Sequence, residues 1–135
     1  MYELRIGYPT VDEEEAIVST TTGVQNLEVK PVISAETLRA MMRLVRRLPA
    51  PPSLVSYAVG LARATRPDDP SATASVKKYV SFGAGPRAGQ YLVLGAKARA
   101  AMDGRSVPDL EDVDAIAFSV LRHRVVMNFQ AEAEG

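Results

Sequence analysis

The sequence contains no cysteine, which excludes disulfides, thiol catalysis and thiolate metal sites and suits a cytoplasmic setting. It contains one histidine, His123, too few for a histidine metal site or a histidine acid–base pair. Sixteen basic residues balance sixteen acidic ones, so neither a general nucleic-acid role nor a membrane-surface role is favoured. No apolar run approaches the roughly 18 residues of a membrane span, and the first residues lack the charged-then-apolar pattern of a secretory leader. Catalytic motifs are missing as well. There is no GxxxxGK[ST] phosphate loop, so a P-loop nucleotide site cannot be complete here. No apolar strand ends in an acidic pair suited to magnesium, and no serine, histidine and aspartate stand in a nucleophile-elbow context. Taken alone, these residues are expected to catalyse nothing.

What is present suits one globular domain: 135 residues, 47% hydrophobic and 24% charged, suffice for a real core. Tyr2, Leu4 and Ile6 alternate with Glu3 and Arg5, the period of a short strand. No partner strand of obvious match lies nearby, so its neighbours are expected to lie outside this sequence. Gly7-Tyr8-Pro9 breaks the strand. Thr10 and Glu13 then read as a capping box, with Asp12 to Glu15 suited to a first helical turn. Leu27 to Val32 alternates weakly across Pro31 and can be an edge strand at best. Ser34 caps a second helix with an apolar stripe of Leu38, Met41, Met42, Val45 and Leu48. Arg39, Arg43, Arg46 and Arg47 lie mostly off that stripe, as a solvated basic face or a surface for a neighbouring subunit or nucleic acid.

Pro49 to Pro52 ends the second helix, and Ser53 is the expected cap of a third that turns Leu54, Tyr57, Ala58, Leu61 and Ala62 inward. Asp68 to Ser75 reads as a polar loop and Val76 to Phe82 as a short extended segment. Asp109 and Asp112 cap a last helix, whose inner face is Val113, Ile116, Ala117, Val120 and Leu121. Arg122, His123 and Arg124 complement its C-terminal dipole. Val125 to Phe129 reads as a strand and Gln130 to Gly135 as a frayed tail. The fold class is therefore mainly α: a small bundle of about five helices, with short peripheral strand segments at both ends and before a glycine turn.

That glycine turn, Gly83-Ala84-Gly85-Pro86-Arg87, organises the chain. Pro86 fits the first helical position and Gly85 can serve as a backbone-only N-cap for a long helix ending near Gly104. Arg87 then sits in the first turn, on the wrong end of the helix dipole for a cation. Local stability does not explain it there. A helix N-terminus with a guanidinium suits an anion, phosphate above all. An arginine paired with a nearby carboxylate, or simply solvated, is the plain alternative.

Gly83-Ala84-Gly85-Pro86-Arg87-Ala88, preceded by Tyr79-Val80-Ser81-Phe82 and followed by a long helix, resembles the second-sensor motif of the MoxR family of AAA+ ATPases. Arg5-Ile6-Gly7-Tyr8-Pro9 with Glu13-Glu14-Glu15 resembles that family's crossing from nucleotide-binding core to C-terminal lid, and Val120-Leu121-Arg122-His123-Arg124-Val125 the end of the lid's last helix. The likeness implies an AAA+ lid-type bundle, with residues 1–9 as the end of the ATPase core and hinge and residues 10–135 as the lid, the catalytic core being absent. It implies ATP and magnesium in the parent protein, with none expected on the isolated lid. By position, Arg87 becomes the arginine offered to the γ-phosphate, beside Pro86, while Tyr8 and Pro9 match where the adenine packs. The family usually has serine where Gly85 stands; backbone capping survives that change. Further implications are an AAA+ core domain in the same chain, a homo-oligomeric ring of hexameric form, a chaperone-like role in maturing client proteins, and partners with von Willebrand factor A domains. The competing readings are a stand-alone helical adaptor or regulatory module and, through Arg39, Arg43, Arg46 and Arg47, a salt-sensitive nucleic-acid binder.

Overall fold

The computed structural model describes residues 2–24 and 29–134. Among these residues lie seven helices and two short strands, in the order α1 (Val11–Thr21), α2 (Ala35–Arg47), α3 (Pro52–Ala64), α4 (Ala74–Tyr79), β1 (Val80–Phe82), α5 (Pro86–Met102), α6 (Leu110–Leu121), β2 (Val126–Met127) and α7 (Phe129–Glu134). The mainly helical class holds.

Local chemistry sets most of the boundaries. Thr10 and Glu13 form a reciprocal capping box at α1, Ser34 accepts the Thr37 N–H at α2, and Asp109 and Asp112 form a second capping box at α6. Gly104 takes a left-handed conformation, φ 72°, just past the end of α5, where a residue with Cβ would be strained. At α3 the expectation of a Ser53 cap is corrected: Pro51 is the N-cap and Pro52 opens the helix, because a proline at the first position needs no N–H partner.

The core is thin and built largely from small residues. Ala88, Leu92, Ala96 and Ala100 form a fully buried stripe at every fourth position of α5, so neighbouring helices approach its backbone closely. Of the helically spaced residues Tyr91, Leu92, Gly95, Ala98 and Met102, only Leu92 and Gly95 are buried, and Met102 is solvent-facing. Against α5 pack α6, with Val113 and Val120 fully buried, and α3, with Leu54, Ala58 and Ala62. Leu54, Leu92, Val113 and Val120 are the largest fully buried apolar side chains, each contributing about 1.5–3 kcal/mol by its burial. The α2 stripe is another matter. Leu38, Met41 and Met42 are about half exposed and only Leu48 is buried.

The peripheral strands are less regular than their patterns suggest. Residues 2–10 form no strand; lacking a ladder partner, the Glu3 N–H bonds the Ser119 carbonyl of α6 instead, at 2.9 Å. Tyr2 lies over α5, where a Cβ on Gly95 would fall 1.8 Å from its hydroxyl. The weak edge strand at Leu27 to Val32 falls partly outside the described residues, and Val29 to Val32 are not extended into any sheet. Val76 to Phe82 is corrected as well: its first half is α4, capped by Thr73, and only Val80–Phe82 pair, antiparallel, with Val126–Met127. The supposed frayed tail is α7. Asn128 accepts the Ala131 N–H and donates to the Lys78 carbonyl, while Tyr79 donates to Glu134 at 2.6 Å, so α4 and α7 support each other.

Candidate functional site

The start of α5 is a turn held from behind. Thr65, which caps the end of α3, donates its hydroxyl to the Ala62 carbonyl and accepts the Ala84 N–H at 2.8 Å. Arg66 donates to the Ala84 carbonyl at 2.9 Å. Both polar groups of the buried Ala84 are thereby satisfied. Gly83 is required by space: a Cβ there would lie 2.4 Å from the Thr65 carbonyl oxygen. The turn is thus fixed to the C-terminal end of α3, and α5 leaves it in a set direction.

From that support the helix opens outward. Gly85 is the N-cap with no side-chain hydrogen bond, and Pro86 takes the first position, so no side chain satisfies the N–H groups of the first turn. Arg87 is exposed, and among the described residues no hydrogen bond or ion pair holds it. Of the plain alternative, pairing with a carboxylate falls away among the described residues, and a solvated arginine is what the structure holds. The Ala88 N–H is taken by the Gly85 carbonyl at 3.0 Å, but the unpaired Arg87 guanidinium on this first turn can meet an anion without first breaking an existing pair.

Tyr8 and Pro9 are not assembled with this turn. The Tyr8 ring is fully exposed and packs on nothing among the described residues. The basic triplet splits its roles. Arg122 and His123 face the Glu3 carboxylate at 3.5 and 3.8 Å, and Arg124 donates to the Val120 carbonyl at the end of α6, consistent with the dipole reading. Arg5 lowers the Glu3 pKa through a direct hydrogen bond, with Arg122 adding to the effect.

Sequence reasoning found Asp112 as a cap but missed its main part. Only 2% exposed, it accepts two hydrogen bonds from Arg105, at 2.7 and 2.8 Å, and a third from the Asp109 N–H, with Arg99 at 3.5 Å. The Arg105 guanidinium holds the Asp112 pKa below the usual carboxylate range. This cluster locks the α5–α6 connection from the far end of α5. Thr65 and Arg66 were missed too; the one available signal was a polar pair just past a helix end.

Residues 72–135, which include the whole turn and α5, match the AAA lid domain family. The chain is 31% identical over 134 residues to the chaperone MoxR1 of Mycobacterium tuberculosis, covering 99% of this chain and 35% of that protein. The chain is similar to the C-terminal lid of a MoxR-type AAA+ ATPase. The lid is also 29% identical over 136 residues to the uncharacterised protein YeaC of Bacillus subtilis, covering 40% of it. A crystal structure of a candidate ATPase from Cytophaga hutchinsonii superposes on the whole lid with a TM-score of 0.82 and 26% identity, over 41% of its own length. The lid thus spans between 35% and 41% of the length of these relatives. Among its described residues no helix is long and apolar enough to cross a membrane.

Proposed function

We propose that this lid closes over ATP held by an AAA+ core in the same chain, and that Arg87 meets the γ-phosphate. The observation that carries the reading is the free guanidinium of Arg87 on the first turn of α5, above a turn fixed by Thr65, Arg66 and Gly83. ATP supplies the transferable phosphoryl group. The lid's own residues orient and neutralise: Arg87 donates hydrogen bonds to phosphate oxygens, and the first-turn N–H groups favour the same negative charge. A charge-assisted hydrogen bond contributes about 1.5–3 kcal/mol, enough to make lid angle depend on the presence of the third phosphate. The exposed ring of Tyr8, with Pro9, is offered as the adenine contact. Magnesium, which the likeness to AAA+ ATPases implies for the parent protein, belongs to the core in this reading. Ring assembly and chaperone-like maturation of clients belong to the same proposal and rest on likeness to the chaperone MoxR1.

The test is ATP turnover by the full-length protein with Arg87→Ala. Turnover is expected to fall about tenfold or more with the melting temperature of the lid unchanged. Unaltered turnover would remove Arg87 from the mechanism.

A further inference from the structure

The chain is neutral overall, yet its charge is sorted by element. Helix α1 carries Asp12, Glu13, Glu14 and Glu15 with no basic residue, a charge of −4. Helix α2 carries Arg39, Arg43, Arg46 and Arg47 against Glu36, a charge of +3. Neither helix is well covered: no residue of α1 is buried, nor is any within α2.

The basic side borders a groove. Between α2, α3 and α5 lies an open cavity of about 780 Å³, with Val55, Val59, Ala62, Val93 and Leu94 as its apolar lining. Arg46, Arg63 and Arg66 complete the wall. Arg63 is held by Asp69 and Arg66 by the Ala84 carbonyl, whereas Arg46 has no partner among the described residues. A groove of this kind asks for two things at once, an apolar insert and an acidic edge. A nucleic-acid strand offers phosphates to the arginines but nothing to the valines. An acidic amphipathic helix offers both. One face of α1 carries Val11 and Val18 flanking Glu14 and Glu15, and both valines are more than half exposed.

We propose that α1 of a second copy of this chain seats in the groove, with Val11 and Val18 on the valine floor and Glu14 and Glu15 against Arg46. The contact uses different surfaces on the two copies. It therefore propagates head to tail, closing into a ring or continuing as a chain. The groove shares Arg66 and Pro86 with the turn that carries Arg87, but Arg87 itself does not line it, and the substitutions that test the contact lie outside that turn.

Sedimentation equilibrium of the chain from about 1 to 100 µM, a range that resolves micromolar association, tests it with two variants. Glu14, Glu15 and Arg46 are all exposed, so Arg46→Glu and the double substitution Glu14→Arg/Glu15→Arg should leave the fold intact, which thermal melts check. The unsubstituted chain is expected to gain mass with concentration, and each variant alone to associate about tenfold more weakly or less. An equimolar mixture of the two variants should associate like the unsubstituted chain, because reversed surfaces then meet reversed surfaces and intact ones meet intact ones. A chain that stays monomeric throughout, including one whose α1 folds onto its own groove, would overturn the proposal. So would a mixture no stronger than either variant alone.

Discussion

The Thr65 hydroxyl accepts the Ala84 N–H at 2.8 Å and so joins the end of α3 to the turn that launches α5. Ala84 is buried, so removing the acceptor strands a backbone donor without water. Thr65→Val is expected to cost about 1–3 kcal/mol in urea-induced unfolding, while Thr65→Ser, which keeps the hydroxyl, should recover most of it. A loss for Thr65→Ser with none for Thr65→Val, which keeps the methyl group, would show that the methyl group, not the hydrogen bond, matters.

Gly83 faces the same helix end through space. A Cβ placed 2.4 Å from the Thr65 carbonyl oxygen meets rigid backbone rather than a flexible side chain, so the turn itself must shift. Gly83→Ala should lower stability by about 1–3 kcal/mol. An undiminished unfolding midpoint would mean that the turn is looser than described.

These supports bear on how much could be read from sequence. Caps were legible because their chemistry is local: Thr10 with Glu13, Ser34 with Thr37 and Asp109 with Asp112 each act within three residues. Gly85, Pro86 and Gly104 follow the same kind of rule. What depended on distant partners was not legible. Helices α4 and α7 are six residues each and persist through each other, by Tyr79, Lys78, Asn128 and Glu134. The α2 stripe shows the converse: periodicity marks a face as apolar but says nothing about whether anything covers it. At the site, Arg87 was legible as a misplaced charge; Thr65 and Arg66, 22 and 21 residues earlier, were not.

Acid should loosen the molecule from two carboxylates. Hydrogen bonds from the Ser71 hydroxyl and N–H, with Arg63, lower the Asp69 pKa to about 2, and Arg105 lowers that of Asp112. A carboxylate with a depressed folded pKa stabilises fully above its unfolded value of about 3.9 and loses that contribution as pH falls through the folded one. Stability should therefore hold near neutrality and decline from about pH 4 toward pH 2. Arg105→Met, which leaves Asp112 without its main partner, should move the acid-unfolding midpoint to higher pH. A midpoint that does not move would place the cluster outside the stability of the α5–α6 joint.

Gly95 separates helix propensity from the N-terminal contact. Alanine there would gain up to about 1 kcal/mol within α5, but its Cβ would fall 1.8 Å from the Tyr2 hydroxyl and 2.4 Å from Ile116 Cδ1. Tyr2 lies on a segment without secondary structure and gives way more readily than the helix. Gly95→Ala should leave the melting temperature within a few degrees while amide exchange at Glu3, bonded to the Ser119 carbonyl, becomes faster. Unchanged protection of Glu3 would show that Tyr2 does not hold the segment.

An Arg87 that meets the γ-phosphate, as proposed, distinguishes three phosphates from two. The most direct measurement is the ratio of affinities of the full-length protein for a non-hydrolysable ATP analogue and for ADP, with and without Arg87→Ala. An interaction of about 1.5–3 kcal/mol with the γ-phosphate predicts that the substitution lowers this ratio by roughly tenfold or more, with ADP affinity little changed. An unchanged ratio, with the lid still folded, would contradict the account.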